Sequence, residues 1–230
     1  MPFCFSTRNR KGAADFLNKL HPIKFDPYSI AVMCYRTKLT ATISQIEDKF
    51  EGRLEPVPEL FNPGLELNGF AMPHTPVLCA DDLAHLKIIQ WGYEVNWQTV
   101  PLLNAQFETA QDKMSFKPYL HQRCLIAADG FYEWKWLDEK GKKKEKYLLQ
   151  LPDESVFFLC GQFRDSTDTN TGEVNRSYII YTLSAEGVMR DIHNSKLRMP
   201  YALWDVEAGI KYLKGENPNP FIDWQPVKVS

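Results

Sequence analysis

The chain has 230 residues, 44% of them hydrophobic, enough to bury one good core, so one compact domain is the default reading. A formal net charge of -2 excludes a global basic field, and any affinity for nucleic acid has to come from a local patch. Five cysteines (Cys4, Cys34, Cys79, Cys124, Cys160) are odd in number, widely spaced and without a C-x-x-C pair, which argues against a disulfide framework and the common zinc or redox patterns. A reduced, cytosolic chain is expected, since no run approaches the roughly 18 apolar residues of a membrane helix and the start lacks a secretory h-region.

Residues 1–32 differ from the rest. Arg8, Arg10, Lys11 and Lys19 surround a short helical pattern of Ala13, Phe16, Leu17 and Leu20, followed by Pro22 and Pro27. This reads as an N-terminal extension: an upstream start taken in error, a removable leader, or a small docked helix. The domain proper is expected over 33–230. Thr42-x-x-Gln45 is a capping box ahead of Ile43, Ile46 and Phe50, predicting a helix near 43–50. Apolar, β-branched and aromatic runs at 75–79, 87–95, 123–128, 131–137, 146–151, 155–163 and 177–183 predict seven strands. The cationic run Lys140 to Lys146 reads as the solvated tip of a hairpin, with a DNA contact as the alternative. Ser184 is expected to cap a helix through Asp191, Trp204 to Leu213 has helical spacing, and Glu216 to Ser230 has a loop-like, Pro-rich composition. The expected class is α+β, with barrel-like antiparallel β-sheets flanked by short helices.

Four places carry chemistry. A cysteine directly after a methionine, as in Met33-Cys34, becomes a terminus once that methionine is removed. A terminal cysteine offers an α-amine of pKa about 7.7 to 8.0 beside a thiol near about 8.5, so it traps an aldehyde twice, first as an imine and then as a five-membered thiazolidine. In Asp129-Gly130-Phe131-Tyr132-Glu133-Trp134-Lys135-Trp136, an Asp-Gly turn or bulge precedes a strand whose alternation puts Phe131, Glu133 and Lys135 on one face and Tyr132, Trp134 and Trp136 on the other. Glu133 among aromatic residues suits a desolvated general acid or base, and an exposed strand glutamate is the equal alternative. Asn104 offers donor and acceptor together for positioning an oxygen or a nucleophile, though asparagine near a turn is a common capper. His193 is either structural or catalytic, and Trp91 and Trp97 are either core residues or platforms for unpaired bases.

Taken together, Met33-Cys34-Tyr35-Arg36, Trp91-Gly92, Asn104-Ala105-x-x-Glu108-Thr109, Arg123-Cys124-Leu125-Ile126, the Asp129 to Trp134 segment, Ile192-His193-Asn194 and Arg198-Met199-Pro200 resemble, in order and spacing, the SRAP family. These are the SOS response-associated peptidases, also called abasic site processing proteins. The resemblance runs from Met33 to about Pro200. It implies a compact α+β domain with barrel-like sheets that cross-links itself to abasic sites in single-stranded DNA and needs no metal or organic cofactor. It further implies Cys34 as nucleophile, Asn104 orienting the reacting groups, Glu133 as acid or base, and His193 assisting ring opening and proton transfer. Arg36 would lie near the phosphate backbone, and Gln106 stands where the family usually carries a phosphate-contacting arginine. The peptidase name implies that the chain cuts itself before Cys34, unless translation begins at Met33. Lyase activity is an expected side reaction, and a monomer in the cytoplasm, nucleoid-associated when bound to DNA, is the expected state. Two rival readings stand beside this one, the first using the same residues and the second leaving Cys34 inert. One is an N-terminal-nucleophile hydrolase with His193 or Glu133 as base; the other is a passive single-stranded DNA module built on Arg36, Lys117, Arg198 and the tryptophans.

Overall fold

The computed structural model describes residues 34–54 and 61–229, so the helical pattern expected within 1–32 lies outside the described residues. At the start of the described chain, Arg36–Leu39 forms β1 and Ile43–Phe50 forms α1, at the place the capping box predicts. The Thr42 side chain accepts from the Gln45 N–H at 3.3 Å, and the Gln45 side chain accepts from the Thr42 N–H at 2.8 Å. Ile46 and Phe50, four apart, give the helix its buried face.

The strands that follow are β2 (Arg53–Leu54), β3 (Gly64–Asn68), β4 (His74–Cys79), β5 (Asp82–Trp91), β6 (Asn104–Gln106), β7 (Arg123–Ala128), β8 (Gly130–Trp136), β9 (Lys144–Gln150), β10 (Phe157–Thr167), β11 (Val174–Ser184), β12 (Arg198–Pro200), β13 (Ala202–Leu203) and β14 (Gln225–Val229). Strands β4, β5, β11, β10 and β7 pair in a ring, because β5 joins β11 at Ser177–Gln90 and Tyr178–Trp91. The result is a closed five-stranded barrel, which removes exposed edges. A second sheet has the order β14, β9, β8, β1, β3. Pairing is mostly antiparallel as expected, but β5–β11, β6–β11 and β2–β5 are parallel.

Alternate barrel residues enter two cores. Val77, Ile126, Leu159 and Ile180 join Phe131 and Leu149 of the second sheet and Trp224 just before β14, whereas Leu125, Phe158 and Ile179 join Ile46 and Phe50 of α1. Burial on both faces explains why these strands read as unbroken apolar runs. Two barrel strands meet at Gly161, where an added Cβ would stand 2.1 Å from the Ile179 carbonyl oxygen. Gly161→Ala is therefore expected to destabilise by about 3 kcal/mol or more, read as a lower urea midpoint; an unchanged midpoint would refute this packing.

Several expectations change. The 87–95 strand stops at Trp91, because Gly92 turns at φ 108, and Tyr93 makes only an isolated bridge to Leu102. Asp129-Gly130 does not close a hairpin: β7 belongs to the barrel and β8 to the second sheet, so the pair marks the crossing between them. Ser184 ends β11 and caps nothing; the helix there is α2, Met189–Ile192, a single turn without a side-chain cap. Helix α3, Val206–Leu213, starts after Asp205, whose side chain accepts from the Ala208 N–H at 2.8 Å. The C-terminal segment expected to be loop carries β14 along β9, and Trp224 is buried edge-on against Phe131, Phe157 and Phe221. Of the lysine-rich stretch, Lys140 to Lys143 lie in the β8–β9 hairpin loop, held by Asp138 accepting from the N–H groups of Lys140, Lys142 and Lys143, whereas Lys144 to Lys146 already belong to β9. No helix among the described residues is long and apolar enough to cross a membrane.

Candidate functional site

Strand β8 sits between β1 and β9, and this places Glu133 beside the residues that lead into β1. Its buried carboxylate accepts from the Cys34 backbone N–H at 2.8 Å through Oε1 and lies close enough to the Cys34 thiol to help raise its pKa. Its other oxygen, Oε2, lies 3.8 Å from His193 Nε2, within charge range but too long for a direct hydrogen bond. One carboxylate thus faces both nucleophilic atoms of Cys34 and a ring nitrogen of His193. The alternation read from the sequence holds: Phe131 and Glu133 are buried, and Trp134 lies on the opposite face, stacked on Tyr35 at 5.3 Å.

The buried His193 donates from Nδ1–H to the Arg198 carbonyl at 2.8 Å. A carbonyl only accepts, so the Nδ1 proton is fixed and Nε2 is the nitrogen presented to Glu133. Desolvation pushes the Cys34 thiol well above its ordinary value, the Glu133 charge and hydrogen bond add to that rise, and the Arg198 guanidinium opposes it. Cys34 has φ 47, the left-handed region in which a Cβ-bearing residue is strained.

Neighbouring elements hold this arrangement. Asp129, at the crossing into β8, accepts from the N–H groups of Thr40 and Ala41 at 2.6 and 3.0 Å and from the Thr40 hydroxyl at 2.8 Å, which anchors the far end of β1. The Asn194 side chain accepts from Trp136 N–H at 3.0 Å and donates to the Trp136 carbonyl at 2.9 Å, so the turn bearing His193 docks on β8 as a short strand would. Lys135 pairs with Asp191 at 2.5 Å across the same junction.

The remaining sequence candidates spread over the surface and the core. Asn104 opens β6 beside Ile180 of β11, and the exposed Gln106 ends that strand. Arg36 pairs with Glu66, which Lys146 also pairs, and Arg36 lies over the Tyr35 ring at 5.4 Å. Burial acts to raise the Glu66 carboxyl, but hydrogen bonds from Lys146 and Arg36 outweigh it and hold the group below the usual carboxylate range. Lys117 is exposed on a 3-10 turn, and Trp97 is 61% exposed beside Met114, Tyr119 and Arg164. Trp91, expected as a candidate stacking platform, is corrected: it is wholly buried, and its indole N–H donates to the Leu103 carbonyl at 3.1 Å, so it offers no face to a base. Arg198, expected on DNA, is half of an ion pair with Glu108 and has an 11% exposed side chain. Glu108, Asn194 and Asp129 escaped the sequence reading as site residues. All three stand within the motifs that carry the resemblance, but no role was read for them, and the Asp129-Gly130 pair suggested only a turn or bulge.

Residues 33–223 match the profile of a family described as SOS response associated peptidase (SRAP). The chain is 33% identical over 149 residues to the abasic site processing protein YedK of Escherichia coli, covering 63% of each. It is 35% identical over 140 residues to YoqW of Bacillus subtilis, another abasic site processing protein, covering 57% of this chain and 58% of that one. The chain therefore matches about three fifths of the length of these relatives. A solved structure from Bacteroides thetaiotaomicron aligns with a TM-score of 0.72 at 24% identity, over 86% of this chain and 92% of that one, and shares the fold. With the profile spanning the described barrel, the second sheet apart from β14, and the Cys34–Glu133–His193 cluster, the chain belongs to the SRAP family.

Proposed function

We propose that this protein processes abasic sites in single-stranded DNA by becoming covalently attached to them through Cys34, in a form that begins at Cys34. The observation that carries this reading is the 2.8 Å hydrogen bond from the Cys34 nitrogen to Glu133, with the Cys34 thiol close to the same carboxylate. The opened abasic sugar presents an aldehyde. The Cys34 amine adds to its carbon, Glu133 as an acid protonates the departing hydroxyl, and water leaves an imine. The thiol sulfur then bonds to the imine carbon while its proton ends on nitrogen, with Glu133 and His193 relaying it. The thiazolidine so formed has two new bonds to one carbon, and its nitrogen no longer withdraws electrons as an imine does, so strand cleavage is suppressed. In this reading Asn104 orients the reacting groups.

The reading requires that residues 1–33 be absent, because a peptide bond at the Cys34 nitrogen removes its nucleophilicity. The left-handed φ at Cys34 agrees with that. This dihedral exists only while a residue precedes Cys34, and release of the segment would relieve strain of about 1–2 kcal/mol. Glu133, beside that nitrogen, is positioned to protonate it as the leaving amine if the chain cuts itself.

For the flanking strand, Arg36, Lys117, Gln106 and Trp97 are the proposed contacts. A phosphate would have to displace Glu66 from Arg36. Gln106→Arg, adding a cation on an exposed strand end, is expected to tighten DNA binding and steepen its salt dependence by roughly 0.7 in log–log slope. Equal affinity across a salt series would count against a phosphate path there.

Denaturing gels test the central claim. Protein beginning at Cys34 should shift an oligonucleotide bearing one abasic site, and the same preparation with residues 1–33 attached should not. Absence of a denaturation-resistant band from either form, with the N-terminus confirmed by intact mass, would overturn the reading. Catalytic turnover of an amide substrate would instead favour the hydrolase.

A further inference from the structure

We infer that Cys79 and Cys124 are an oxidation site in the barrel wall, a pair that a low-molecular-weight disulfide converts into a reversible cross-strand bridge between β4 and β7. The bridge lies outside the proposed chemistry of Cys34 and does not depend on it.

The two cysteines face each other directly. In the antiparallel pairing of β4 with β7, Cys79 stands opposite Cys124, next to Leu78–Leu125 and Val77–Ile126. Opposed residues in such a ladder alternate between pairs that exchange backbone hydrogen bonds and pairs that do not, and the second kind brings side chains closer, with Cα atoms about 4.5 Å apart. Cys79–Cys124 is of the second kind. The Ala80 N–H donates to the Arg123 carbonyl at 2.9 Å, so the hydrogen bond joins residues that flank the pair rather than the pair itself. The other edge of β7 agrees. Phe163 N–H donates to the Gln122 carbonyl at 2.8 Å, which leaves Gln162–Arg123 unbonded and makes Cys124–Gly161 a bonded pair. The N–H and C=O of Cys124 therefore point to β10, away from Cys79.

A disulfide accepts Cα separations of about 4.4–6.8 Å, most often about 5.5–6 Å. The pair falls at the short end of that range, where a bridge forms but is more easily reduced than an unstrained one. Core membership singles out the same two residues. Cys79 and Cys124 both enter the core shared with Phe131 and Leu149, Cys160 enters the core completed by α1, and Cys34 belongs to neither. All four are free thiols in this structure.

The chemistry is thiol–disulfide exchange. One cysteine thiolate attacks the oxidant's S–S bond, releases one small thiol and leaves a mixed disulfide; the opposite thiolate then attacks the cysteine sulfur and releases the second small thiol. The cysteines lose two protons and two electrons, and the oxidant takes them up as two thiols. Burial pushes the Cys79 thiol up to about 12 and the Cys124 thiol well above its ordinary value, with the Arg176 guanidinium opposing both rises. Thiolate is therefore scarce while the barrel is closed, and oxidation is fastest as the strands pair.

The test is to unfold full-length reduced protein in urea, dilute it into oxidised and reduced glutathione, alkylate the remaining thiols in denaturant and digest with trypsin without reduction. Cleavage after lysine and arginine places each cysteine on its own peptide. The expected product is the peptide 54–87 joined to the peptide 124–135, separated by added reductant, with Cys160 alkylated. Mapping protein made in a bacterial strain with an oxidising cytoplasm gives the same answer without refolding. Cys79 and Cys124 both alkylated in the two preparations, or either joined to Cys160 or Cys34 as often as to the other, would overturn the inference. Stability is the second readout: the bridge closes a long loop in the unfolded chain, so the linked protein should have a higher urea midpoint that reductant lowers. Cys79→Ala and Cys124→Ala should each show a midpoint that reductant does not move. A linked wild type less stable than its reduced form would mean that the register does not suit a bridge, and the inference fails there too.

Discussion

Glu133→Gln is expected to slow cross-linking of an abasic-site oligonucleotide by about 10²- to 10³-fold while leaving its binding to intact single-stranded DNA unchanged. The amide keeps the shape of the carboxyl and its oxygen still accepts from the Cys34 N–H, so the 2.8 Å contact need not be lost. What disappears is proton transfer. Expulsion of water from the first adduct needs an acid at the oxygen, and closure of the ring needs a base for a thiol that burial already holds in its protonated form. Among the described residues, Glu133 is the carboxylate that accepts from the Cys34 nitrogen and also acts on its thiol. Rates are read by quenching single-turnover mixtures into denaturant. A variant within threefold of wild type would show that Glu133 only holds Cys34 in place.

Cys34→Ala, prepared with Ala as the first residue, is expected to abolish the denaturation-resistant adduct altogether yet to cut the strand at the abasic site. The terminal amine survives the substitution and still forms an imine with loss of water. With no thiol to close on it, the imine acidifies the neighbouring carbon, whose proton leaves as the 3′ phosphate departs. Ring closure within one residue has an effective molarity of about 10⁵ M or more, so millimolar thiol added from solution should not restore the adduct. Borohydride, which reduces the imine, should trap the variant on DNA. A variant that neither cuts nor is trapped, beside a wild type that cross-links, would mean that the Cys34 amine does not supply the imine step. These two substitutions separate the acid–base group from the nucleophile, and they do so on opposite readouts.

The elements that agreed with the sequence are those whose signal is local. A capping box placed α1 to the residue, because Thr42 and Gln45 satisfy each other's backbone partners without help from the rest of the fold. Alternation along 131–136 put Glu133 and Trp134 on opposite faces, since a strand's pleat leaves no other choice. Cys34, Glu133 and His193 were legible as types suited to aldehyde chemistry, and their order along the chain carried the family resemblance.

Other features depended on partners far away in the chain. The short strands β1, β3, β6 and β14 have little strand character of their own and exist because a neighbour offers a ladder; β14 runs along β9 even though it contains Pro226. Trp91 and Trp97 look alike in sequence, yet one is closed inside the barrel and the other faces water, a difference decided by Gly92 ending β5. The Asp129-Gly130 pair reads as a turn or bulge between two strands, but β7 and β8 have their partners in separate sheets. The sequence by itself determined which residue types suit the proposed chemistry and the local elements whose signal lies within a few residues. Only the tertiary structure decided that Glu133, 99 positions from Cys34, accepts from its nitrogen, and that Glu108 and Arg198, 90 positions apart, pair with each other. Hydrogen bonds and ion pairs act over a few ångströms of space, and separation along the chain carries no record of that distance.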